Sequence, residues 1–483
     1  MTNASRVARS TSAGYNSWVD PTELPRSAPA AQGVDAAGID AFVAAVAPIS
    51  EIELHSLMVV RHGHVVAEHW WPPYSRSAPH LLYSMSKSFT STALAFAVAE
   101  GSVDLDATVL SYFPEFDGLV TDDRSRAIRV RHVAAMASGH SDETIDEARA
   151  AGDGDMLLGF LRIPPDREPG TVFAYNQPCT YSLSAIIQRV SGGSLTEYLR
   201  PRLFEPLGIA PYGWRTDPLG RELGYSGLHV PTEAIAKVGQ LYLRDGAWNG
   251  RRLLPAGWVA EASRSHVATN RPDPDWDQGY GFQFWRSRHG YRGDGAFGQF
   301  MLILPEADAV IAITSQSPDM QGLLDALWTH LLPALTAGDN SSGSWSPASP
   351  ELRAPAGDDG PEGDGGPASD GPAGDIAGTV LRPGPGNELA GLRTVEMRDG
   401  EIVLADAGPP LAVRLGAPRT WTTDGAVASA YAWSGGRLQV DLVFVETPHR
   451  LHLSIDPPAA QFEARWQTAP IEEPPLSSIR MPS

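Results

Sequence analysis

Ser84 and Lys87 stand three residues apart in Leu81-Leu82-Tyr83-Ser84-Met85-Ser86-Lys87-Ser88-Phe89. At the start of a helix this spacing puts both side chains on one face, within hydrogen-bond reach of each other. Serine is a weak nucleophile until a base takes its proton. A lysine can be that base once burial or a neighbouring cation lowers its hold on its own proton, whereas a guanidinium stays charged. The chain carries 37 Lys and Arg residues, of which two, Lys87 and Lys237, are lysine. A lysine kept where arginine is the rule marks a candidate for proton transfer. Leu81, Leu82, Met85 and Phe89 predict a buried helix from Ser84 to Ala99, closed by Gly101, rather than a serine cap on a solvated one. The free amides of such a helix start, that of Ser84 included, can hold a developing oxyanion, which the helix dipole also favours.

A second constellation, Pro169-Gly170-Thr171-Val172-Phe173-Ala174-Tyr175-Asn176-Gln177-Pro178, delivers a tyrosine at a loop-to-helix junction. A phenol held near a cation such as Lys87 can exchange protons.

Several elements must position these groups. Ile39, Phe42 and Val46 recur at helical spacing over Asp35–Val46. Leu57–Val60, a turn at Arg61-His62-Gly63 and Val65–Glu68 predict a hairpin. Helices are expected over Tyr181–Val190, Thr232–Leu243 and Leu323–Leu332, and strands over Tyr280–Trp285, Phe297–Leu304 and Ala309–Thr314. A strand pair, a long helical insertion, further strands and a closing helix describe an α/β sandwich with a separate helical subdomain. Residues 1–30 read as an arm, 31–335 as the main unit and 336–374 as a Gly, Pro, Ser and Asp linker too polar to pack. Residues 375–470 then show short strands at Leu392–Arg398, Ile402–Leu404, Leu411–Leu415, Tyr431–Trp433, Leu438–Val445, Leu451–Ile455 and Phe462–Trp466. These predict a small antiparallel barrel or sandwich, with 471–483 as a tail. On this reading the main unit has a complete core of its own.

A formal charge of −20 argues against nucleic acid and anionic membrane as partners. The single cysteine, Cys179, excludes an internal disulfide framework and fits a reducing compartment. There is no apolar leader and no run of about eighteen apolar residues, so a cytoplasmic protein without a spanning helix is expected. No phosphate-cradling loop and no metal-ligand spacing of histidines is seen, so neither metal nor organic cofactor is implied.

Ser84-Met85-Ser86-Lys87 is followed in order by Val130-Arg131-His132-Val133, Met136-Ala137-Ser138-Gly139-His140, Pro169-Gly170, Phe173-Ala174-Tyr175-Asn176 and Leu203-Phe204-Glu205-Pro206-Leu207-Gly208-Ile209. Lys237-Val238-Gly239-Gln240-Leu241 and Gly295-Ala296-Phe297-Gly298-Gln299 complete the series. Taken together, residues 35–335 resemble the serine beta-lactamase-related hydrolases, a group with class C beta-lactamases, carboxylesterases, D-aminopeptidases and aminohexanoate-oligomer hydrolases. The resemblance implies an antiparallel sheet flanked by helices plus a helical subdomain. It also implies Ser84 as acylated nucleophile, Lys87 as its partner and Tyr175 as proton shuttle, and gives Lys237 a place on a helix away from the chemistry. The group's second motif is often Tyr-x-Asn; here Asn176 and Gln177 both follow the tyrosine, and either amide can orient a substrate carbonyl. Its third motif is typically Lys-Thr-Gly or His-x-Gly, whereas this chain has His289-Gly290-Tyr291-Arg292-Gly293-Asp294-Gly295, without lysine. The second oxyanion amide is expected from Gly293, Asp294, Gly295 or Ala296. Arg292 and Asp294 are expected as solvated charges on a strand edge.

These readings converge on a serine hydrolase for a small ester, amide or short peptide. Rivals are a D-amino-acid peptidase or beta-lactam-recognising enzyme, and a non-catalytic binding or scaffold protein of the same fold; intact Ser84, Lys87 and Tyr175 favour catalysis. If Lys87 must exchange a proton, Lys87→Arg fails almost as badly as Lys87→Ala despite keeping its charge, by about 10²–10⁴-fold in kcat/KM, while Lys237→Arg is nearly silent. Near-wild-type turnover in Lys87→Arg shows instead that only the charge matters.

Overall fold

The computed structural model describes residues 22–336, 345–347, 351–357 and 377–482. Residues 1–21 of the expected arm and 337–344, 348–350 and 358–376, almost all of them in the expected linker, lie outside the described residues. Helix α1 (Ala36–Val46) starts where the Asp35 carboxylate accepts the Ala37 amide at 3.1 Å. The hairpin β1 (Glu53–Arg61) and β2 (His64–Trp70) follows. Three of the helices of the insertion concern the site: α2 (Ser86–Ala99), α3 (Gln177–Ser191) and α4 (Thr232–Leu243). Strands β3 (Trp285–Arg286), β4 (Tyr291–Gly295), β5 (Gln299–Leu304) and β6 (Ala309–Gln316) lead to α5 (Met320–Ala326).

The six strands form one antiparallel sheet in the order β2-β1-β6-β5-β4-β3. Alternate residues of its middle strands serve different cores. Leu57, Val59, Phe300, Leu302, Ile311 and Ile313 pack with α1 and α5, while Met58, Val60, Met301, Ile303, Val310 and Ala312 pack with α2 and α4. Burial on both faces explains why these strands read as unbroken apolar runs. The expected strand at Tyr280–Trp285 is mostly irregular. Gln283 sits at φ +64° and its side-chain amide donates to the carbonyls of Val133 (3.1 Å) and Ala134 (2.8 Å), which takes the segment out of the sheet. The expected closing helix is split by a wider turn at Leu327–Leu331.

The C-terminal unit is a nine-stranded sheet of β7 (Val380–Pro383), β8 (Thr394–Arg398), β9 (Glu401–Ala405), β10 (Leu411–Arg414), β11 (Thr422–Asp424), β12 (Val427–Ser434), β13 (Arg437–Phe444), β14 (Arg450–Asp456) and β15 (Gln461–Trp466). Its order is β10-β9-β8-β7-β15-β14-β13-β12-β11, antiparallel except for β7 with β15. The ends nearly close into a barrel, with Ser429 Oγ donating to the Arg414 carbonyl at 2.6 Å. β7 and β11, short and largely exposed, have no apolar alternation to announce them. No helix among the described residues is long and apolar enough to cross a membrane.

Each unit has a cluster of its own, and a further cluster is shared between them, so the linker does not separate all of the packing. Ala428, Val443 and Val445 of the β unit lie in the cluster beneath α1, together with Leu54, Trp71 and Tyr74. Leu352 joins them from within the polar stretch, its amide bonded to the Pro72 carbonyl at 3.0 Å. Arg450 bridges the units, meeting Glu53 at 3.0 Å on one side and Asp441 on the other. Tyr74 Oη donates to the Thr447 carbonyl at 3.0 Å. Removing the β unit strips this shared core and takes away the Arg450 partner of Glu53. Truncation after Thr336 is therefore expected to give an insoluble or molten product by near-UV circular dichroism. A soluble truncated protein with a sharp thermal transition shows that the main unit is self-sufficient.

Candidate functional site

Ser84 lies in a tight turn, Tyr83–Met85, two residues before α2 rather than inside it. The turn is held from several sides. The Leu82 amide donates to the Leu228 carbonyl at 2.8 Å, Ser86 Oγ donates to the Tyr83 carbonyl at 2.6 Å, and the Leu228 amide donates back to Ser86 Oγ at 3.1 Å. Tyr83 adopts φ +47°, a left-handed conformation costing about 1–2 kcal/mol for a side chain of this kind.

Lys87 is 1% exposed, and its ammonium has three partners: Ser84 Oγ at 3.0 Å, Gln177 Oε1 at 2.6 Å and the Tyr225 carbonyl at 2.9 Å. Two of these are carbonyl oxygens, which can only accept. When the amine is neutral its two hydrogens are committed to them, and the lone pair is left for Ser84, the one partner able to donate. Burial brings the Lys87 pKa down to about 7, against the opposing pull of Glu143 and Asp294. Its nitrogen also sits 4.7 Å from the centre of the Tyr175 ring. Tyr175 stacks on Trp285 with centroids 5.3 Å apart, and its phenol interacts with the Ser84 side chain. Burial, with Asp294 adding to it, pushes that phenol well up, so Tyr175 is protonated at neutral pH.

The two amides after Tyr175 separate cleanly. Asn176 is fully buried and turned to Thr144, donating to its Oγ1 at 3.0 Å and accepting its amide at 3.2 Å. Gln177, the first residue of α3, reaches Lys87 and lines the cavity. Its backbone N–H donates to Glu143 Oε1 at 3.0 Å. Burial raises the Glu143 pKa, with the Gln177 amide and Lys87 working against it. Glu143 carries no motif and was not foreseen.

β4 brings Gly293, Asp294 and Gly295 to the same turn. It pairs with β5 along its whole length, but β3 reaches only Arg292, so the outer edge from Gly293 onward faces Tyr83–Met85. A Cβ at Gly293 would meet Ser88 Oγ at 2.8 Å, and one at Gly295 would meet the Leu82 carbonyl oxygen at 2.1 Å. Glycine at both positions is what allows this approach. Arg292 and Asp294 are a buried pair rather than solvated charges, 0% and 8% exposed, with Arg292 Nε on Asp294 Oδ2 at 3.0 Å. Arg292 also donates to the Asp275 carbonyl at 2.8 Å and lies 4.4 Å from the Trp276 ring centre. Charges enclosed in this way persist only when paired, and Arg292 is paired with Asp294, although its Nη2, 2.9 Å from Oδ2, makes no aligned hydrogen bond. His289 is exposed and meets Trp328 edge-on, away from the site. Lys237 is buried on α4, which packs on the sheet. The Cys179 thiol is buried and pushed up to about 12, which leaves it no competing nucleophile.

Ser84 opens into a cavity of about 320 Å³ whose main-unit lining includes Gln177, Tyr225, Ile145, Leu223, Arg149 and Arg215. The β unit completes the wall with His449 and a strap from Pro470 to Ile479 whose Glu472 meets Arg149 at 3.0 Å. Leu476 and Ile479 anchor the strap in the β-unit core, so the expected tail is packed, and Ile471 stands 64% exposed at the mouth. None of this wall carried a sequence signal, since it is assembled from residues three hundred positions away.

Residues 42–336 match the family model described as Beta-lactamase. The 6-aminohexanoate-dimer hydrolase of Paenarthrobacter ureafaciens is 28% identical over 287 residues, covering 55% of this chain and 73% of that protein. Penicillin-binding protein 4 of Amycolatopsis lactamdurans is 26% identical over 297 residues, covering 52% and 76%. Two solved structures show the same fold: a penicillin-binding protein homologue from Caulobacter crescentus, with TM-score 0.50 and 17% identity over 63% of this chain and 98% of its own, and EstCE1, a hydrolase with promiscuous acyltransferase activity, with TM-score 0.50 and 17% identity over 62% and 100%. The family match stops before the β unit.

The Lys87 environment sets a pH dependence. Below about pH 7 the amine is protonated and has no lone pair for Ser84; above it the amine is neutral. The rate of Ser84 labelling by a fluorophosphonate is therefore expected to rise about tenfold per pH unit up to that inflection and then level off. Because the Glu143 carboxylate favours the charged amine, Glu143→Gln moves the inflection to lower pH while keeping an acceptor for the Gln177 amide. An inflection that is indifferent to Glu143→Gln assigns the titration to another group.

Proposed function

The chain belongs to the beta-lactamase family, whose relatives include amide and ester hydrolases, and from that premise we propose that it cleaves small, uncharged esters through an acyl-enzyme on Ser84. The observation that carries the reading is the Lys87 amine, buried, with two of its three partners unable to donate. Ser84 Oγ attacks the substrate carbonyl as its proton passes to Lys87 Nζ. The Ser84 amide and an outward amide of Gly293–Ala296 receive the oxyanion. Tyr175, protonated and beside Ser84, gives a proton to the departing alkoxide and regains one from Lys87. Water then repeats the sequence on the acyl-enzyme with the roles reversed. Gln177 holds Lys87 and borders the path of the substrate carbonyl, a part for which Asn176 is turned the wrong way.

The preference for neutral esters follows from β4. A beta-lactam brings a carboxylate that needs a free cation beside the oxyanion strand, and Arg292 is spent on Asp294. The missing pair disfavours the lactam by about 2–5 kcal/mol in a desolvated site. On one preparation, kcat/KM for p-nitrophenyl butyrate is expected to exceed that for nitrocefin and penicillin G by at least about 30-fold, the lower bound of that range. A lactam value equal to or above the ester value makes Arg215 the carboxylate partner and promotes the penicillin-recognising alternative, since this guanidinium lines the same cavity and makes no ion pair among the described residues.

A further inference from the structure

Two backbone segments must keep their spacing for an oxyanion hole to exist beside Ser84: the turn Tyr83–Met85 and the end of β4 with the loop that follows it. Each presents an aromatic residue in the left-handed region next to the expected donors, Tyr83 at φ +47° and Phe297 at φ +65°. Their rings meet edge-to-face with centroids 5.3 Å apart. A third ring, His449, packs against both, at 5.8 Å and 88° to Tyr83 and at 5.6 Å and 82° to Phe297. It comes from the connection between β13 and β14 in the β unit and is 1% exposed.

The hydrogen bonds of His449 fix its form. Nδ1 lies 3.1 Å from the Thr468 carbonyl, which can only accept, so Nδ1 carries the hydrogen. Nε2 is then an acceptor, and the Tyr83 hydroxyl donates to it at 2.6 Å. Burial pulls the imidazole down to about 4, with the nearby Arg215 adding to that effect against the Thr468 bond, so the acceptor persists at neutral pH. On the other side the loop is pinned independently: Gln299 Nε2 donates to the carbonyls of Ala296 (3.1 Å) and Phe297 (3.2 Å), and Ser315 Oγ donates to that of Phe297 at 2.8 Å. The Tyr83 carbonyl is likewise held from the main unit, by Ser86 Oγ at 2.6 Å, but the Tyr83 hydroxyl at the far end of the side chain is bonded to His449.

We infer that His449 is a positioning residue of the β unit that braces the two halves of the oxyanion hole, holding the nucleophile turn by the Tyr83 hydroxyl and the β4–β5 loop by the Phe297 ring. The inference rests on Ser84 being the nucleophile, and gives the β unit a part in the reaction at a distance from the reacting atoms. A loosened hole weakens the transition state more than the bound ester. The same bond is removed from either end by His449→Phe and by Tyr83→Phe, and His449→Gln returns an acceptor near the position of Nε2.

The test measures kcat and KM for p-nitrophenyl butyrate together with inhibition by phenylboronic acid, whose tetrahedral adduct on a serine places a hydroxyl in an oxyanion hole. His449→Phe and Tyr83→Phe are each expected to lower kcat about 10–100-fold with KM changed less than threefold, and to weaken the boronate in proportion to kcat. The double variant is expected to be no worse than the poorer single one, and His449→Gln to recover a large part of kcat. Unchanged kcat and boronate affinity in folded Tyr83→Phe, or losses in the two singles that multiply in the double, overturn the proposal. Tyr83→Phe removes one oxygen atom, so it decides the matter even where His449→Phe fails to fold. If Ser84 is not the nucleophile, the wild-type protein fails to form a fluorophosphonate adduct at Ser84, an outcome distinct from any of these.

Discussion

The site depends on taking one ammonium group out of water. A lysine side chain enclosed by α2, α3 and the Tyr225 segment loses the hydration that favours its charge, and nothing nearby restores all of it: the Glu143 and Asp294 carboxylates pull in the other direction without cancelling burial. What replaces water is a set of three oxygens, two of them carbonyls. Each comes from a different part of the chain, so the main unit has to be folded before the amine is poised. The small and hydroxyl-bearing residues of α2 serve this end, since Ser88, Ser91 and Thr90 spend their hydroxyls on carbonyls of the neighbouring segments and allow these to approach closely.

The same economy governs charge elsewhere around the site. Arg292 and Asp294, brought side by side at the end of the sheet, neutralise each other and leave β4 without a free ion beside the nucleophile turn. Arg450 does the corresponding task at the seam between the units, shared between Glu53 and Asp441. Buried pairs of this sort add little net stability, but each is costly to leave half made. They tie the arrangement of the two units to the integrity of the site.

Much of the fold was legible because it is written in local periodicity. Thr232–Leu243 was read with its true bounds, and the hairpin and the inner strands were placed within a few residues, since burial on both faces leaves long apolar runs. Ser84 and Lys87 were legible for a similar reason, their spacing being a property of one turn of chain. The strand Tyr291–Gly295 was harder: its pattern is glycine and charge, and only the pairing of Arg292 with Asp294 makes it a strand interior. The choice between Asn176 and Gln177 was closed to sequence, because it turns on Thr144, 32 residues earlier, claiming the first amide. Glu143 and His449 were invisible for the same reason, His449 meeting Tyr83 across 366 positions. Leu352 was hidden by its polar neighbours.

The strap over the cavity is held by contacts of very different kinds. Leu476 and Ile479 are sunk in the β-unit core and Thr468, just before the strap, is bonded to buried His449, whereas between them Glu472 meets Arg149 of the main unit through side chains that are 54% and 46% exposed. An exposed pair of this type contributes at most about 1 kcal/mol and is screened by dissolved ions within roughly 8 Å at physiological ionic strength. The strap is thus anchored at both ends in the β unit, and its ion pair to the main unit across the cavity is the tie that weakens as ionic strength rises.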